Sequence, residues 1–355
     1  MIRLIASDID GTLLPYDETV MPQRLFPLIR RLRERNILFC PASGRQYHSM
    51  RTLFAPVADE MCFLCENGAV LYGPGTEEGA PLLSKTLLPR QEALALSRAI
   101  MDIPGCDVII EGQNLNYLCG CGPELVHEMA VNHGNLVTMV DRPEDVPEEI
   151  VKIAAYCPNG MDGPAALLAP RWGEPFHMAV AGLVWLDFSI ATKGTGLAEM
   201  CGALGVSPEE TAAFGDNWND QAMLDMAGRC YLMEQADGAL RRTLADSRAA
   251  AVREAPRSCR DVCNELEAIL SCAQCSLIWT ACWSARIRPT TRRGVRWRSV
   301  SASPLTGAPR RGCVASPGWR RWTSCWRAAA AASPRRRRKP SPRRRTSATA
   351  PSSPK

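Results

Sequence analysis

The point at which the first apolar run stops constrains the fold more than anything else in the chain. Ile2 to Ala6 is a short, largely apolar run, and it passes directly into Asp8-Ile9-Asp10-Gly11-Thr12. Such a run predicts an interior strand. A side-chain period of two puts Asp8 and Asp10 on the same side as the strand runs out. Two carboxylates that close repel unless a cation sits between them or one keeps a proton. In an open α/β sheet, the carboxyl end of a strand is also where ligands bind. A calcium loop starting at Asp8 would need Asp or Asn at its fifth position and Glu at its twelfth, and those positions hold Thr12 and Thr19. A solvated turn after an edge strand fits poorly with so apolar a run.

The pattern then repeats. Pro22 opens a helical stretch with Leu25, Leu28, Ile29 and Leu32 on one face. Ile37 to Cys40 reads as a second strand ending in Pro41-Ala42-Ser43-Gly44-Arg45, and a helix with Tyr47, Met50, Arg51 and Phe54 follows. Met61 to Leu64 reads as a third strand, ending at Glu66-Asn67-Gly68-Ala69 and followed by Val70-Leu71-Tyr72. Strand, helix, strand, helix, strand with polar strand ends predicts a doubly wound parallel α/β sheet. Gly73 to Pro81 is a linker rich in Gly, Pro and Glu.

The periodicity changes after the linker. Leu94 to Met101 and Glu124 to Asn135 read as helices, and Asp107 to Glu111 with Asn116 to Cys119 as a hairpin around Gly112-Gln113. Ile150 to Tyr156 and Met178 to Phe188 read as strands. This is an inserted α+β module, because the first pattern resumes at Thr192-Lys193-Gly194-Thr195-Gly196. A helix with Leu197, Met200, Cys201 and Leu204 follows, then a strand from Glu210 to Phe214 that ends in Gly215-Asp216-Asn217-Trp218-Asn219-Asp220. Met223, Leu224 and Met226 begin another helix, Cys230 to Met233 is a last strand, and Asp261 to Leu270 closes the domain. The expected organisation is a core over 1–80 and 189–270, an insertion over 81–188, and a separate segment over 271–355.

Charge divides the chain in the same place. Residues 1–267 carry 22 basic and 37 acidic residues, a net of −15, and no acidic residue follows Glu267. From Ser271 onward there is no Asp, Glu, Asn, His, Met, Phe or Tyr, while six of the nine Trp appear among Arg, Pro, Ser and Ala. Such a tail cannot bury a core and is expected to be disordered. It reads either as a polybasic arm that binds nucleic acid through phosphates and stacking, or as out-of-frame translation of GC-rich DNA. The abrupt loss of every acidic residue just after a closing helix favours the second, leaving nucleic-acid contact as non-specific. The eleven Cys of the body stand in apolar company at irregular spacings. With no secretory signal and no run near the ~20 apolar residues of a membrane span, the expectation is a cytoplasmic protein with free thiols. Cys62-Phe63-Leu64-Cys65 lies inside a strand pattern, which favours packing over metal or redox chemistry. Cys119-Gly120-Cys121 lacks a partner pair at zinc spacing.

In a parallel sheet the polar strand ends all face one crevice. Asp8, Asp10, Asp216 and Asp220 there suit Mg²⁺, a hard cation that prefers oxygen. Ser43 and Gly44, between a strand end and a helix start, lie where free amides and the helix dipole favour an anion, although taken alone they favour a plain serine N-cap. Lys193-Gly194-Thr195-Gly196 lacks the spacing of a P-loop, so its informative residue is Lys193 at the mouth of a helix. Metal ligands, phosphate donors (Ser43, Lys193, Asn219) and an unspent carboxylate together make a phosphoryl-transfer site.

Asp8-Ile9-Asp10-Gly11-Thr12, Ser43-Gly44-Arg45, Lys193-Gly194 and Gly215 to Asp220 resemble, in order and spacing, the four motifs of haloacid-dehalogenase-superfamily phosphatases. The insertion between the second and third motifs resembles the α/β cap of the Cof-type, sugar-phosphatase-like branch, as does Glu66-Asn67-Gly68-Ala69. The resemblance spans residues 1 to about 270. It implies a Rossmann-like core with a cap, and a Mg²⁺-dependent phosphatase that acts on a small phosphorylated metabolite through an aspartyl phosphate.

By position, the resemblance makes Asp8 the nucleophile and Asp10 the acid and base. Asp8 and Asp216 become metal ligands through their side chains and Asp10 through its carbonyl. Thr12 positions Asp10, Ser43 binds phosphate, and Lys193 bridges nucleophile and phosphate. Asn219 and Asp220 hold Lys193, phosphate or metal-bound water. For Asp220 a helix N-terminal carboxylate is the competing reading, and Arg45 reads as a solvated or salt-bridged helix residue. Glu111, Asn114 and Asn116 near the hairpin tip are candidate substrate contacts, although residues of these types there more often serve turn chemistry. His48, His127, His133 and His177 take no role. The branch often carries Gly-Asn-Ala near its last core strand; Met233-Glu234-Gln235-Ala236 stands there instead, so no role transfers to it. A phosphotransferase or phosphomutase on the same scaffold, and a nucleic-acid binder working through the tail, are the alternatives.

Overall fold

The structure, a computed structural model, describes residues 1–284 apart from 16–17, 182–183, 249–255 and 257. Strand β1 (Leu4–Ser7) lies at the centre of a parallel sheet. Helix α1 (Leu25–Arg33) leads to β2 (Leu38–Pro41), which pairs with β1 from Leu4 beside Leu38 to Ser7 beside Pro41. Helix α2 (Tyr47–Leu53) precedes β3 (Phe63–Cys65). The Cys62 and Ser43 amides donate to the Phe39 and Leu64 carbonyls, which ties β3 beside β2. The chain then doubles back through β4 (Val70–Tyr72), which runs antiparallel between β3 and β5 (Leu82–Lys85). The linker after Tyr72 is therefore a hairpin, and the strand that closes it extends the core past residue 81.

The inserted module builds its own sheet. After α3 (Arg90–Met101) come β6 (Asp107–Glu111) and β7 (Asn116–Cys119), the hairpin expected around Gly112-Gln113. Helix α4 (Pro123–His127) continues as a π turn to Asn132, and β8 (Val137–Val140) runs parallel to β7. β9 (Lys152–Tyr156) and α5 (Asp162–Leu168) follow. The stretch expected as one strand from Met178 to Phe188 is two antiparallel strands, β10 (Ala179–Ala181) and β11 (Trp185–Phe188). An apolar run shows no period from which its reversal could be read. The order is β10-β11-β9-β6-β7-β8.

One face of this sheet packs Val108, Ile110, Ile153, Leu186 and Phe188 against Leu96 and Ile100 of α3 and Leu168 of α5. On the other face Ile109, Leu118 and Ala154 lie under Leu125 and Met129. Beyond Tyr156, Trp185 and Val137, which pack on that cluster, one end of the second face is polar. Cross-strand register places Glu111 beside both Lys152 and Asn116, and Asp187 beside Ala154.

The core resumes with α6 (Lys193–Leu204), β12 (Thr211–Gly215), α7 (Gln221–Met226), β13 (Arg229–Leu232), α8 (Gly238–Arg248) and α9 (Cys259–Ser284). β12 pairs with the other side of β1, giving the order β13-β12-β1-β2. Alternate residues go to opposite faces. Ile5, Phe39, Phe214 and Tyr231 pack under α1 and α9, while Leu4, Ala6, Cys40 and Cys230 pack under α6, α7 and α8. Burial on both faces is why these strands are apolar throughout. Cys62 joins the second cluster and Cys65 the first, so the CxxC residues point to opposite faces. Burial pushes the Cys62 thiol up to about 12, as suits an inert packing residue. The closing helix, expected to end at Leu270, runs on to Ser284; the rest of the basic tail, 285–355, lies outside the described residues. Among the described residues no helix is long and apolar enough to cross a membrane.

Two glycines set the approach of α6. Gly68 has φ +100, and a Cβ there would stand 2.3 Å from the Thr192 carbonyl oxygen; a Cβ on Gly196 would stand 2.7 Å from Gly68 Cα. The glycines of Lys193-Gly194-Thr195-Gly196 thus serve close packing. Gly68→Ala adds a strained φ to a backbone clash, and we expect it to cost about 1–3 kcal/mol or more. The measurement is the shift in the urea unfolding midpoint, which an unstrained site would leave unchanged.

Candidate active site

β1 runs out at Ser7, and the Asp8 amide still donates to the Phe214 carbonyl at 2.9 Å, so Asp8 is held in sheet register. The chain then turns tightly. The Leu13 and Leu14 amides both donate to the Ile9 carbonyl, and Gly11, at φ +90, donates to the Leu14 carbonyl. β12 brings Asp216 and Asp220 beside Asp8 from the neighbouring strand end. Thr192 caps α6 through a reciprocal bond with Thr195, which starts the helix at Lys193 and aims its side chain into the same crevice.

Lys193 Nζ donates to Asp8 Oδ1 at 2.5 Å and to Asp220 Oδ1 at 2.7 Å, and it is almost wholly buried. Asp220 Oδ2 accepts the amides of Asp216 and Asn217, both at 3.0 Å. Asp220, expected as a metal ligand, stands in the carboxylate cluster and also bonds Lys193 and the 216–217 loop through its two oxygens. Thr12 Oγ1 donates to Asp216 Oδ1 at 3.1 Å, so Thr12 positions Asp216 where Asp10 was expected. Burial, then Asp220, then Asp216 push the Asp8 carboxyl well above the usual carboxylate range, with Lys193 opposing. Burial pulls Lys193 down, but Asp220 and Asp8 outweigh it and hold its ammonium above the ordinary value.

Asp8, Asp216 and Asp220 each offer an oxygen within 4.8 Å of the others. Three buried carboxylates against one ammonium leave negative charge in a dry site, and an all-oxygen donor set of this kind suits a hard divalent cation. Asp10 points elsewhere. Arg45 grips its carboxylate with two bonds, Nε to Oδ2 at 2.9 Å and Nη2 to Oδ1 at 2.7 Å. Arg45 precedes α2, which begins at Tyr47. It is salt-bridged as the sequence allows, but to a motif carboxylate 35 residues away.

Ser43 is buried, and its Oγ accepts the Arg45 amide at 3.2 Å. Ser43 is thus no N-cap, since three residues separate it from α2. Gly44 lies against the side chain of Asn67, whose Oδ1 meets Asn219 Nδ2 at 3.5 Å. Of the proposed substrate contacts, Glu111 and Asn116 are buried between insertion and core, and Asn114 is exposed. Gln46 docks there, donating to the Asn114 carbonyl at 2.9 Å and accepting the Leu136 amide at 2.8 Å.

Three residues escape the sequence reading. Burial and then Arg45 hold the His133 imidazole below its ordinary value, and its ring packs on Trp185 and pairs with Glu128. Gln235 Nε2 donates to the Gly11 carbonyl at 2.5 Å, bracing the turn after Asp8 from the position where the Gly-Asn-Ala is missing. Lys152 Nζ donates to the Gly44 carbonyl at 2.8 Å. Nothing local marks any of them.

The model of the haloacid dehalogenase-like hydrolases matches residues 5–244. The chain is 26% identical over 249 residues to a 5-amino-6-(5-phospho-D-ribitylamino)uracil phosphatase of Escherichia coli, covering 67% of this chain and 88% of that one. It is 28% identical over 241 residues to an HMP-PP phosphatase of Klebsiella pneumoniae, covering 66% and 85%. Among solved structures, a subclass IIB sugar phosphatase of the same superfamily superposes with a TM-score of 0.62 at 20% identity, over 75% of this chain and 98% of that one. A Thermotoga maritima protein superposes with a TM-score of 0.61 at 23% identity, over 75% and 97%. At these identities the superpositions show a shared fold. With a family match that runs from β1 into α8 and takes in all four motifs, the chain belongs to the haloacid dehalogenase-like hydrolases.

Proposed function

We propose that the protein is a Mg²⁺-dependent phosphatase that hydrolyses a small phosphorylated metabolite through an aspartyl phosphate on Asp8. The observation that carries this is Asp8 itself: in strand register, buried, and bound to Lys193 among two further carboxylates. An Asp8 oxygen attacks phosphorus, the ester P–O bond breaks, and the leaving oxygen takes a proton from Asp10. In the second half a water gives a proton to Asp10 and attacks phosphorus. This frees Asp8 and inorganic phosphate. Mg²⁺, held by the side chains of Asp8 and Asp216 and the Asp10 carbonyl, would neutralise charge on the phosphoryl oxygens. Lys193, Ser43, Gly44 and Asn219 hold those oxygens. Arg45 suits phosphate as well as carboxylate, so an entering ester can draw it from Asp10 and leave Asp10 able to take a proton.

The relatives' names place their substrates among small phosphorylated compounds, one of them a phosphoribitylamino-uracil. That supports a metabolite of this size here. The test is phosphate release from a panel of sugar phosphates and phosphoribitylamino-pyrimidines, with Mg²⁺ and with chelator. Release that requires Mg²⁺ is expected, and a folded chain inert across the panel would remove the reading. Asp10→Asn should lower turnover of alkyl phosphates about 10²–10⁴-fold. p-Nitrophenyl phosphate, whose leaving group needs no proton, should still give a burst of one equivalent of nitrophenolate with slow turnover after it. Absence of that burst would take the acid role from Asp10.

A further inference from the structure

Lys152 reaches from β9 of the insertion into the core and is buried there among carboxylates. Its Nζ lies 2.7 Å from Glu66 Oε2, 2.8 Å from Glu111 Oε2 and 3.8 Å from Asp187 Oδ2. Glu66 comes from the core, on the left-handed turn after β3; Glu111 and Asp187 come from the insertion. Three carboxylates facing one ammonium in a dry seam is a poor device for stability. Apolar residues of similar volume serve at least as well. The cluster's contacts indicate another use. Lys152 Nζ donates to the Gly44 carbonyl at 2.8 Å. The same peptide unit carries the Arg45 amide, which donates to Ser43 Oγ at 3.2 Å. The plane of that peptide is thus pinned at both ends, and with it the direction of the Ser43 hydroxyl and the start of the Arg45 side chain that holds Asp10. Asp187 acts on the other loop, accepting Asn67 Nδ2 at 3.0 Å while Asn67 Oδ1 meets Asn219 at 3.5 Å.

We infer that Lys152 is a positioning residue through which the seated cap sets the geometry of the 43–45 loop. The inference rests on reading that loop as part of the phosphate site. A cap that lifts away takes the ammonium with it and frees the Gly44–Arg45 peptide. Seating the cap therefore orders the loop as well as covering it.

The test uses the full chain. Lys152→Met alone leaves the carboxylates without a cation, so Lys152→Met/Glu66→Gln and Lys152→Met/Glu111→Gln are the informative variants. Each keeps the formal charge of the cluster while deleting the Gly44 bond. Amide hydrogen exchange over residues 42–46 should speed up in both while exchange in β1 and β12 stays slow. The inhibition constant of inorganic phosphate should rise about tenfold, and kcat/KM should fall about 10²-fold, the scale of a misplacement near 1 Å. Unchanged exchange over 42–46 in a folded variant would overturn the inference alone. Faster exchange with an unchanged phosphate constant would remove the loop from the phosphate site, and the inference with it.

Discussion

Asp8→Asn is expected to abolish turnover and, in chelator, to raise the melting temperature. The two effects share one cause. Asp8 is buried beside Asp220 and Asp216, and its carboxyl sits well above the unfolded value. The folded state therefore holds that proton more tightly than the unfolded state. Stability from this group is present while Asp8 is protonated, and it is lost as pH rises from about 3.8 through the raised folded value. Above the raised folded value the carboxylate is a liability in the metal-free protein, and asparagine removes it at constant shape. Thermal unfolding of both proteins in chelator between pH 4 and 8 should show the wild type falling behind as pH rises. Curves that stay parallel would mean that Asp8 is not strained by its surroundings. Adding Mg²⁺ should stabilise the wild type more than the variant, because a ligand that binds only the folded state adds stability in proportion to its affinity. The loss of turnover should be at least about 10⁴-fold, as expected when a covalent nucleophile is deleted.

Lys193→Met should do the opposite to stability and the same to activity. Its ammonium bonds Asp8 and Asp220 inside a closed site. Removing one partner of a buried ion pair leaves uncompensated charge and costs about 3–5 kcal/mol. Proton uptake by Asp8 will recover part of that, so the loss should grow as pH rises. The measurement is the urea midpoint between pH 5 and 8. A loss that does not grow with pH would show that the carboxylates are neutralised by something other than Lys193. Asp220→Asn added to Lys193→Met should restore part of the stability without restoring turnover, a coupling that a double-mutant cycle isolates.

The parts of the site that could be read from the chain are those written in local pattern. An apolar run that ends in charge marks a strand end. The repetition of that signal at Asp8, Ser43 and Asp216 requires only that parallel strands present their carboxyl ends together. The sheet order β13-β12-β1-β2 meets that requirement. The residues that escaped act across distance. Lys152 is 108 residues from Gly44, and Gln235 is 224 from Gly11. β8 was missed, and the strand expected over Met178–Phe188 proved to be two, because short half-covered strands carry little alternation to read.

Arg45 shows the division most clearly. Its residue type and place after Gly44 were enough to allow a salt bridge, but the choice of Asp10 as partner belongs to the fold. Side-chain period and backbone propensity act within a few residues, so local order determines which strand ends carry chemistry. Pairing among buried charges is decided when desolvation makes every uncompensated group costly. That happens only after the insertion packs on the core and water leaves the seam where Lys152, Glu66, Glu111 and Asp187 meet.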